Sequence, residues 1–127
     1  MPAAREMLAV RVGVEEAGVA RRDGRIAGCG AFRPLADVDY ANACEMKRLY
    51  VRPDWQRRGV GRMLLAALVE RARGQGVHAL LAWIEAENAA SIELHRAFGF
   101  DLVGVQREVG AKFGRWLSLA LMECRLD

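Results

Sequence analysis

Leu49-Tyr50-Val51-Arg52-Pro53-Asp54-Trp55-Gln56-Arg57-Arg58-Gly59-Val60-Gly61-Arg62 carries an apolar strand into a basic, glycine-punctuated turn that opens at once into a helix. A junction of this kind binds phosphate. Its glycines let the backbone approach a ligand and adopt conformations closed to residues with a Cβ. The unpaired amide N–H groups of the helix start point at an anion placed there, and the helix dipole favours it. Arg57, Arg58 and Arg62 add positive charge around the same spot. A purely structural connection has no use for clustered charge beside paired glycines.

Upstream of the junction, Cys44 to Val51 alternates as a strand that ends before Pro53. Within Gly18 to Phe32, Asp23-Gly24 lies between two runs of small and β-branched residues and predicts a tight hairpin. Pro34 closes its second strand, and Leu35 to Ala43 reads as a polar loop. Leu8 to Val14 is either a first strand or a lead-in. Downstream, Leu64, Leu65, Leu68, Val69 and Ala72 recur at helical spacing over Val60 to Arg73, while Arg62, Glu70, Arg71 and Arg73 stay outside. Gly74 and Gly76 stop that helix. His78 to Ile84 is a nearly continuous apolar run, expected of a strand covered on both faces, with Trp83 in the core and His78 structural. Asn88 caps a second helix ending at Phe98-Gly99, and two strands follow, Phe100 to Gln106 and Trp116 to Arg125. This order describes an α/β fold with a mixed sheet.

The 127 residues, 53% of them hydrophobic, fit one domain with a real core. The net charge is +3, but 17 of the 19 basic residues are arginine, a bias that follows genome composition in part. No basic run interleaved with aromatics and no zinc-finger spacing occurs, so no nucleic-acid partner is expected. Cys29, Cys44 and Cys124 are odd in number, far apart and outside any Cys-x-x-Cys pattern, which argues against a disulfide framework or a metal site and for a reducing compartment. Arg5, Glu6, Arg11, Glu15 and Glu16 interrupt each early apolar run. A cytoplasmic protein without a membrane partner is expected.

Two other glycine-rich phosphate sites fit poorly. A dinucleotide turn requires Gly-x-Gly-x-x-Gly, and although Glu85 follows the next strand, Leu64 stands at the third glycine position. The Walker pattern is absent. The arrangement Gln56-x-x-Gly59-x-Gly61 after Leu49 to Pro53 resembles the acetyl-CoA pyrophosphate loop of the GNAT superfamily of N-acetyltransferases. Asn88-Ala89-Ala90-Ser91-Ile92-Glu93-Leu94-His95-Arg96-Ala97-Phe98-Gly99-Phe100 is similar to the second cofactor-contacting helix of that family, with its Gly-Phe ending. Val103 to Leu117, with Lys112-Phe113-Gly114-Arg115-Trp116-Leu117, resembles the branch containing phosphinothricin acetyltransferases. The resemblance covers about Gly18 to the C-terminus. It implies a single acetyltransferase domain over residues 1–127, with a mixed, mostly antiparallel central sheet, flanking helices and an abbreviated N-terminus where relatives build one wall of the acceptor site. Ser118 stands where this branch usually has an acidic residue.

The resemblance implies acetyl-CoA as co-substrate, no metal, and direct attack of an amine on the thioester. It assigns the backbone of Leu49, Tyr50 and Val51 to the pantetheine arm and acetyl carbonyl, where donors fixed in advance stabilise an oxyanion. Gln56, Arg57, Arg58, Gly59, Val60, Gly61 and Arg62 take the pyrophosphate, joined by Asn88 and Ser91 from the second helix. An alkyl ammonium, with a pKa near 10.4, must lose a proton before it attacks. Glu45 is the first candidate base, or else an exposed carboxylate paired with Lys47 or Arg48, and alternation puts Glu45 and Lys47 on one face. His95 stands where many relatives have tyrosine, and it serves as proton donor to the leaving thiolate, as base, or simply as a surface residue. Asn88, Ser91 and His95 share one helix face. Trp55 either covers the cofactor or shields the turn. Lys112 and Arg115 beside Trp116 either hold an acceptor carboxylate or form a solvated hairpin. The expected acceptor is the primary amine of a small, amino-acid-like molecule. The alternatives are a protein N-terminus, another amine, or a non-catalytic CoA-binding regulatory module. A homodimer is implied by resemblance alone.

Overall fold

The computed structural model describes residues 6–12, 15–22, 25–35, 43–56 and 59–126. Among them, seven strands form one sheet in the order β1-β2-β3-β4-β5-β7-β6. The strands are β1 Glu6–Val12, β2 Glu15–Arg22, β3 Arg25–Pro34, β4 Ala43–Val51, β5 Ala79–Glu85, β6 Asp101–Lys112 and β7 Arg115–Arg125. Every neighbouring pair is antiparallel except β4 and β5. A parallel pair needs a crossover, supplied by α1, Val60–Gly74, while α2, Ala89–Ala97, links β5 to β6. The mixed α/β order read from the sequence is the observed one. The segment near the N-terminus is a strand, with Leu8 opposite Val19. Asp23-Gly24 and residues 36–42 lie outside the described residues; β2 and β3 pair antiparallel, with Arg22 opposite Arg25.

Both helices cover the same face of the sheet. Leu65, Leu68, Val69 and Ala72 of α1 pack on Phe32, Cys44, Leu80, Ala82, Ile84, Met122 and Cys124, and Ile92 and Leu94 of α2, with Phe98 just beyond its end, join the same cluster. Burying one such large side chain contributes roughly 1.5–3 kcal/mol, so packing of the apolar stripe anchors α1. Burial along β5 consequently alternates: Leu80, Ala82 and Ile84 are buried, whereas Trp83 is 36% exposed. This corrects the expectation of a strand covered on both faces with Trp83 in the core. An apolar run records what a strand tolerates, and here its odd-numbered side chains point to the face opposite both helices.

The two C-terminal strands are longer than expected and form one hairpin that turns at Phe113-Gly114, with φ of 52° and 73°. Their ladder steps from Gln106 opposite Leu119 to Gly110 opposite Leu117, leaving three residues against Ser118, and Glu108 takes φ 51°. A bulge of this size breaks the alternation by which a strand is recognised. Among the described residues, no helix is long and apolar enough to cross a membrane.

Candidate active site

The β4–β5 ladder pairs only Ala43, Cys44 and Glu45 with Ala79, Leu80 and Leu81, after which the two strands part. On its other side β4 stays paired with β3 as far as Val51. Arg52 N–H donates to the Ala27 carbonyl at 2.8 Å, and the Tyr50 carbonyl faces Gly28 so closely that a Cβ there would lie 2.6 Å from it. The backbone groups of Tyr50 and Arg52 therefore turn toward β3, and strand alternation turns those of Leu49 and Val51 toward the opening. This corrects the assignment of all three residues as donors. Tyr50 N–H is directed away, and its side chain is 53% exposed. Gln56 Nε2 donates to the Val51 carbonyl at 3.2 Å and ties the turn to the strand end.

At the start of α1, Gly59 is the N-cap with φ 81°, a left-handed conformation that favours glycine, and no side chain caps the helix. The first helical bond runs from Met63 N–H to the Gly59 carbonyl at 3.0 Å. The N–H groups of Val60, Gly61 and Arg62 thus have no intrahelical acceptor. No acidic residue occupies the first turn to compete for an anion. Gly61 keeps the cleft open at a close approach, since a Cβ on it would lie 3.2 Å from Leu94 Cδ2. Between these elements opens a cleft of about 340 Å³, bounded by Leu49, Val51, Gln56 and Gly61 on one side and Asn88, Ala90, Ser91 and Leu94 on the other. Arg57 and Arg58 lie outside the described residues. The Arg62 guanidinium stacks over the Phe98 ring, 5.4 Å from its centroid, and is absent from the cleft lining. Trp55 packs on the cluster of Ala20, Ala27, Val60 and Leu64, and so shields the turn.

Asn88, Ser91 and His95 do share a face, and they line a second hollow of about 180 Å³ that reaches between the parted strands to Met46 and Trp83. The cleft and this notch have Leu49, Asn88 and Ser91 in common. Asn88 caps α2, its Oδ1 accepting from Ser91 N–H at 3.1 Å. His95 is 3% exposed, which excludes the surface reading. Its Nδ1 lies 2.8 Å from the Ser91 carbonyl. Because a carbonyl only accepts, Nδ1 carries the proton and the neutral ring presents a bare Nε2. Burial lowers its pKa below the usual histidine value, and the Ser91 carbonyl opposes this more weakly. The helix end completes the arrangement. Gly99 N–H donates to the Arg96 carbonyl and Phe100 N–H to the His95 carbonyl, each at 3.1 Å, a pattern that closes a helix with contact between its last turn and the residue beyond. Here that contact is the Phe100 ring set edge-on to the imidazole, centroids 5.1 Å apart at 81°.

Glu45 is the last β4 residue paired with β5 and lines neither the cleft nor the notch. Its Oε1 accepts from Arg33 Nε at 3.0 Å across the β3–β4 ladder. The ladder steps from Arg48 to Met46 and skips Lys47, so a bulge breaks the alternation that was expected to place Glu45 and Lys47 on one face. Near Trp116, Lys112 Nζ sits 5.4 Å from the Phe113 ring centroid and Arg115 pairs with Glu87 at 2.6 Å, so both expected carboxylate ligands are engaged elsewhere. Sequence reasoning misses Leu94, a cleft wall whose helical spacing reads as core. Among the described residues, no group of three or more His, Cys, Asp or Glu is placed to hold a metal ion.

Comparison with known proteins bears on this geometry. The chain is 54% identical over 79 residues to an L-methionine sulfoximine/L-methionine sulfone acetyltransferase of Pseudomonas aeruginosa, covering 62% of this chain and 46% of that one. The chain spans about half the length of that relative. Its fold matches a ribosomal-protein-alanine N-acetyltransferase from Brucella melitensis at 42% identity and TM-score 0.84, covering 88% of this chain and 69% of the other. It also matches a phosphinothricin acetyltransferase from Sinorhizobium meliloti, crystallised with AcCoA, at 32% identity and TM-score 0.82, covering 88% and 61%. The profile of one family spans residues 8–100, across β1 to α2 with the parted strands and both helix starts, and on that match the chain belongs to the acetyltransferase (GNAT) family.

Proposed function

We propose that the protein is an acetyl-CoA-dependent N-acetyltransferase, one domain over residues 1–127, acting on the primary amine of a small, amino-acid-like molecule. The observation that carries this reading is the continuous opening formed by the uncapped start of α1, the parted β4 and β5 strands and the notch beside His95. The residues present suit a CoA thioester. The N–H groups of Val60, Gly61 and Arg62 suit a pyrophosphate, helped by the helix dipole. Gly61 leaves room that a Cβ would fill, and the apolar edges of Leu49, Val51 and Leu94 suit a pantetheine arm. Asn88 and Ser91 join the two compartments. The relative crystallised with AcCoA supports the same ligand.

As co-substrate, acetyl-CoA supplies the acetyl group: nitrogen–carbon bond formation accompanies carbon–sulfur cleavage, the thiolate leaves with the bonding pair, and the amine gives up a proton. The chain's own residues assist in three ways. Leu49 N–H, fixed in advance by the β3–β4 ladder, stabilises negative charge on the carbonyl oxygen, and Val51 N–H, two residues farther along the strand, holds the pantetheine arm. His95 Nε2, bare in the neutral tautomer, accepts the amine proton inside the notch. Glu45, held by Arg33 where the β4–β5 pairing ends, is the second candidate base. The protein is cytoplasmic and functions as a homodimer in this reading, with neither nucleic acid nor membrane as partner.

The relative named for ribosomal-protein alanine favours a second reading, acetylation of a protein N-terminus. Thiol release from acetyl-CoA, measured over a panel of amino acids, their sulfone and sulfoximine analogues, and alanine-initiated peptides, separates the two. Turnover confined to peptides overturns the small-molecule reading, and no turnover on any amine overturns both.

A further inference from the structure

The positive charge that Arg62 brings to the start of α1 is not directed at the cleft. Its guanidinium lies over the Phe98 ring, 5.4 Å from the centroid, and Arg62 lines neither the cleft nor the notch. Among the described residues it has no carboxylate partner, and Glu93 of the facing helix is paired with Arg96 at 2.7 Å. Phe98 stands one turn beyond Leu94, and residues four apart share a helix face. Leu94 in turn faces Gly61, the neighbour of Arg62, whose Cβ position lies 3.2 Å from Leu94 Cδ2. The first turn of α1 therefore meets α2 at two adjoining points. At Gly61 a missing side chain leaves the gap that continues into the cleft, and at Arg62 a long side chain bridges to an aromatic face. Away from these points both helices rest on the sheet, α1 through Leu65, Leu68 and Ala72 and α2 through Ile92. The end of α2 that receives Arg62 also holds the reacting end of the site, because Phe98 N–H donates to the His95 carbonyl at 3.0 Å.

We infer that Arg62 is a positioning residue whose guanidinium, stacked on Phe98, straps the start of α1 to the end of α2 and fixes the width of the cleft between them. The inference rests on the acetyl-CoA reading and deepens it, since the strap acts on the walls of the site and not on the ligand. Arginine suits this task. A planar guanidinium lies flat on an aromatic ring and is weakly hydrated, whereas an ammonium is a compact, strongly hydrated charge. The N–H groups at the start of α1 and the side chains of Asn88 and Ser91 on α2 serve one ligand only at a set spacing, and a strap made in advance removes the cost of finding it. A cation that touched phosphate directly would be screened by salt and indifferent to Phe98. A strap depends on Phe98.

Calorimetric titration of the wild-type protein, Arg62→Met, Phe98→Leu and the double variant with acetyl-CoA tests the strap. Each single substitution is expected to weaken binding about three- to tenfold, the double variant to bind no worse than the weaker single one, and Arg62→Lys to recover part of the loss. Methionine keeps an apolar stem in place of the arginine one, so lost packing does not account for the effect. Thermal unfolding without ligand establishes that the variants are folded. A loss on Arg62→Met that is as large in the Phe98→Leu background as in the wild-type one overturns the strap, as does a Phe98→Leu variant that binds as tightly as the wild type. Should Phe98→Leu not fold, salt decides. A ratio of wild-type to Arg62→Met affinity that holds from low to high salt supports the strap, and one that collapses at high salt overturns it in favour of direct contact with phosphate. Binding that ignores both substitutions overturns the strap alone, whereas failure of the wild-type protein to bind acetyl-CoA overturns the strap and the transferase reading together.

Discussion

Gly59 and Gly61 stand two residues apart in one loop, yet the structure gives them different work, and a pair of substitutions separates the two roles. Gly59 holds φ 81° at the N-cap, so Gly59→Ala introduces left-handed strain of about 1–2 kcal/mol. Gly61 has ordinary helical geometry and is limited by space, its Cβ position lying 3.2 Å from Leu94 Cδ2 and 3.7 Å from Val51 Cγ2. Gly61→Ala gains roughly 0.5–1 kcal/mol of helix propensity and loses a similar amount in crowding against a flexible methyl, so its stability stays near wild type. Gly61→Leu is different, because every further carbon enters the cleft that Gly61 and Leu94 bound.

The magnitudes are measurable by thermal unfolding with and without acetyl-CoA. At a ligand concentration of about 100 Kd the wild-type protein gains about 2.7 kcal/mol. At roughly 4 °C per kcal/mol for a chain of this size, that is about 10 °C of protection. Loss of two charge-assisted hydrogen bonds at about 1.5 kcal/mol each weakens binding by more than about 100-fold in Gly61→Leu. The same ligand concentration then contributes about 0.4 kcal/mol, or about 1–2 °C. Gly59→Ala should unfold about 4–8 °C lower without ligand, yet retain most of its protection. Protection of Gly61→Leu within about 2 °C of the wild-type gain refutes the placement of the phosphate site at the start of α1.

Three further variants test the geometry. His95→Asn keeps a donor for the Ser91 carbonyl but removes Nε2, so turnover should fall by about 10²-fold with little change in the KM for acetyl-CoA; undiminished turnover across the pH range removes histidine from the mechanism. Because burial lowers the His95 pKa in the folded state, its contribution to stability is fully present above the unfolded value of about 6.5 and is lost as pH falls below it. A stability-against-pH curve should therefore flatten over that window in His95→Asn, and an unchanged curve contradicts the neutral, buried ring. Gly28→Ala places a Cβ 2.6 Å from the Tyr50 carbonyl oxygen, 3.0 Å from Leu64 Cδ1 and 3.1 Å from Val60 Cγ1. The backbone oxygen cannot give way, so a loss of about 2 kcal/mol, or about 8 °C in Tm, is expected by calorimetry, and an unchanged Tm rejects the close approach of Gly28 to the β4 backbone. Glu45→Gln should change stability by less than about 1 kcal/mol, since its Arg33 partner is 38% exposed, while lowering turnover about tenfold. Full turnover in that variant leaves Glu45 as an ion-pair residue only.

The stretch from Leu49 to Arg62 was legible because its chemistry is local: proline ends a strand, glycine starts a helix, and the missing cap declares itself in the residue types. The same holds for Asn88 and for the Gly99 stop. What escaped depends on pairing between distant segments. Which of Leu49, Tyr50 and Val51 offers a free N–H is set by the β3–β4 register, in which Arg52 bonds to Ala27. The exposure of Trp83 follows from both helices choosing one face, and no run of apolar residues encodes that choice. Arg62 reads as a phosphate ligand from its position in the chain, but α2 brings Phe98 within 5.4 Å of its guanidinium. At Lys47 and at Arg107 to Val109, bulges shift the two-residue period on which face assignments depend.

His95 shows how far one signature reaches once the fold closes around it. Gly99 and Phe100 end α2, and the same two residues set the Phe100 ring against the imidazole, while Ser91, whose N–H is bound by Asn88, offers its carbonyl to Nδ1. The elements that terminate the helix also fix the tautomer and shield the ring. That shielding lowers the proton affinity of Nε2 and so weakens histidine as an equilibrium base. It also keeps the ring unprotonated near neutrality, so that a base is available at every encounter with an ammonium group. A surface histidine with an ordinary pKa would be partly protonated under the same conditions and unable to accept the proton. The Asn-x-x-Ser-x-x-x-His spacing therefore acts as one unit, in which capping, burial and proton transfer depend on each other. Replacing Phe100 should raise the His95 pKa and slow acetyl transfer together, although Phe100 lines neither the cleft nor the notch.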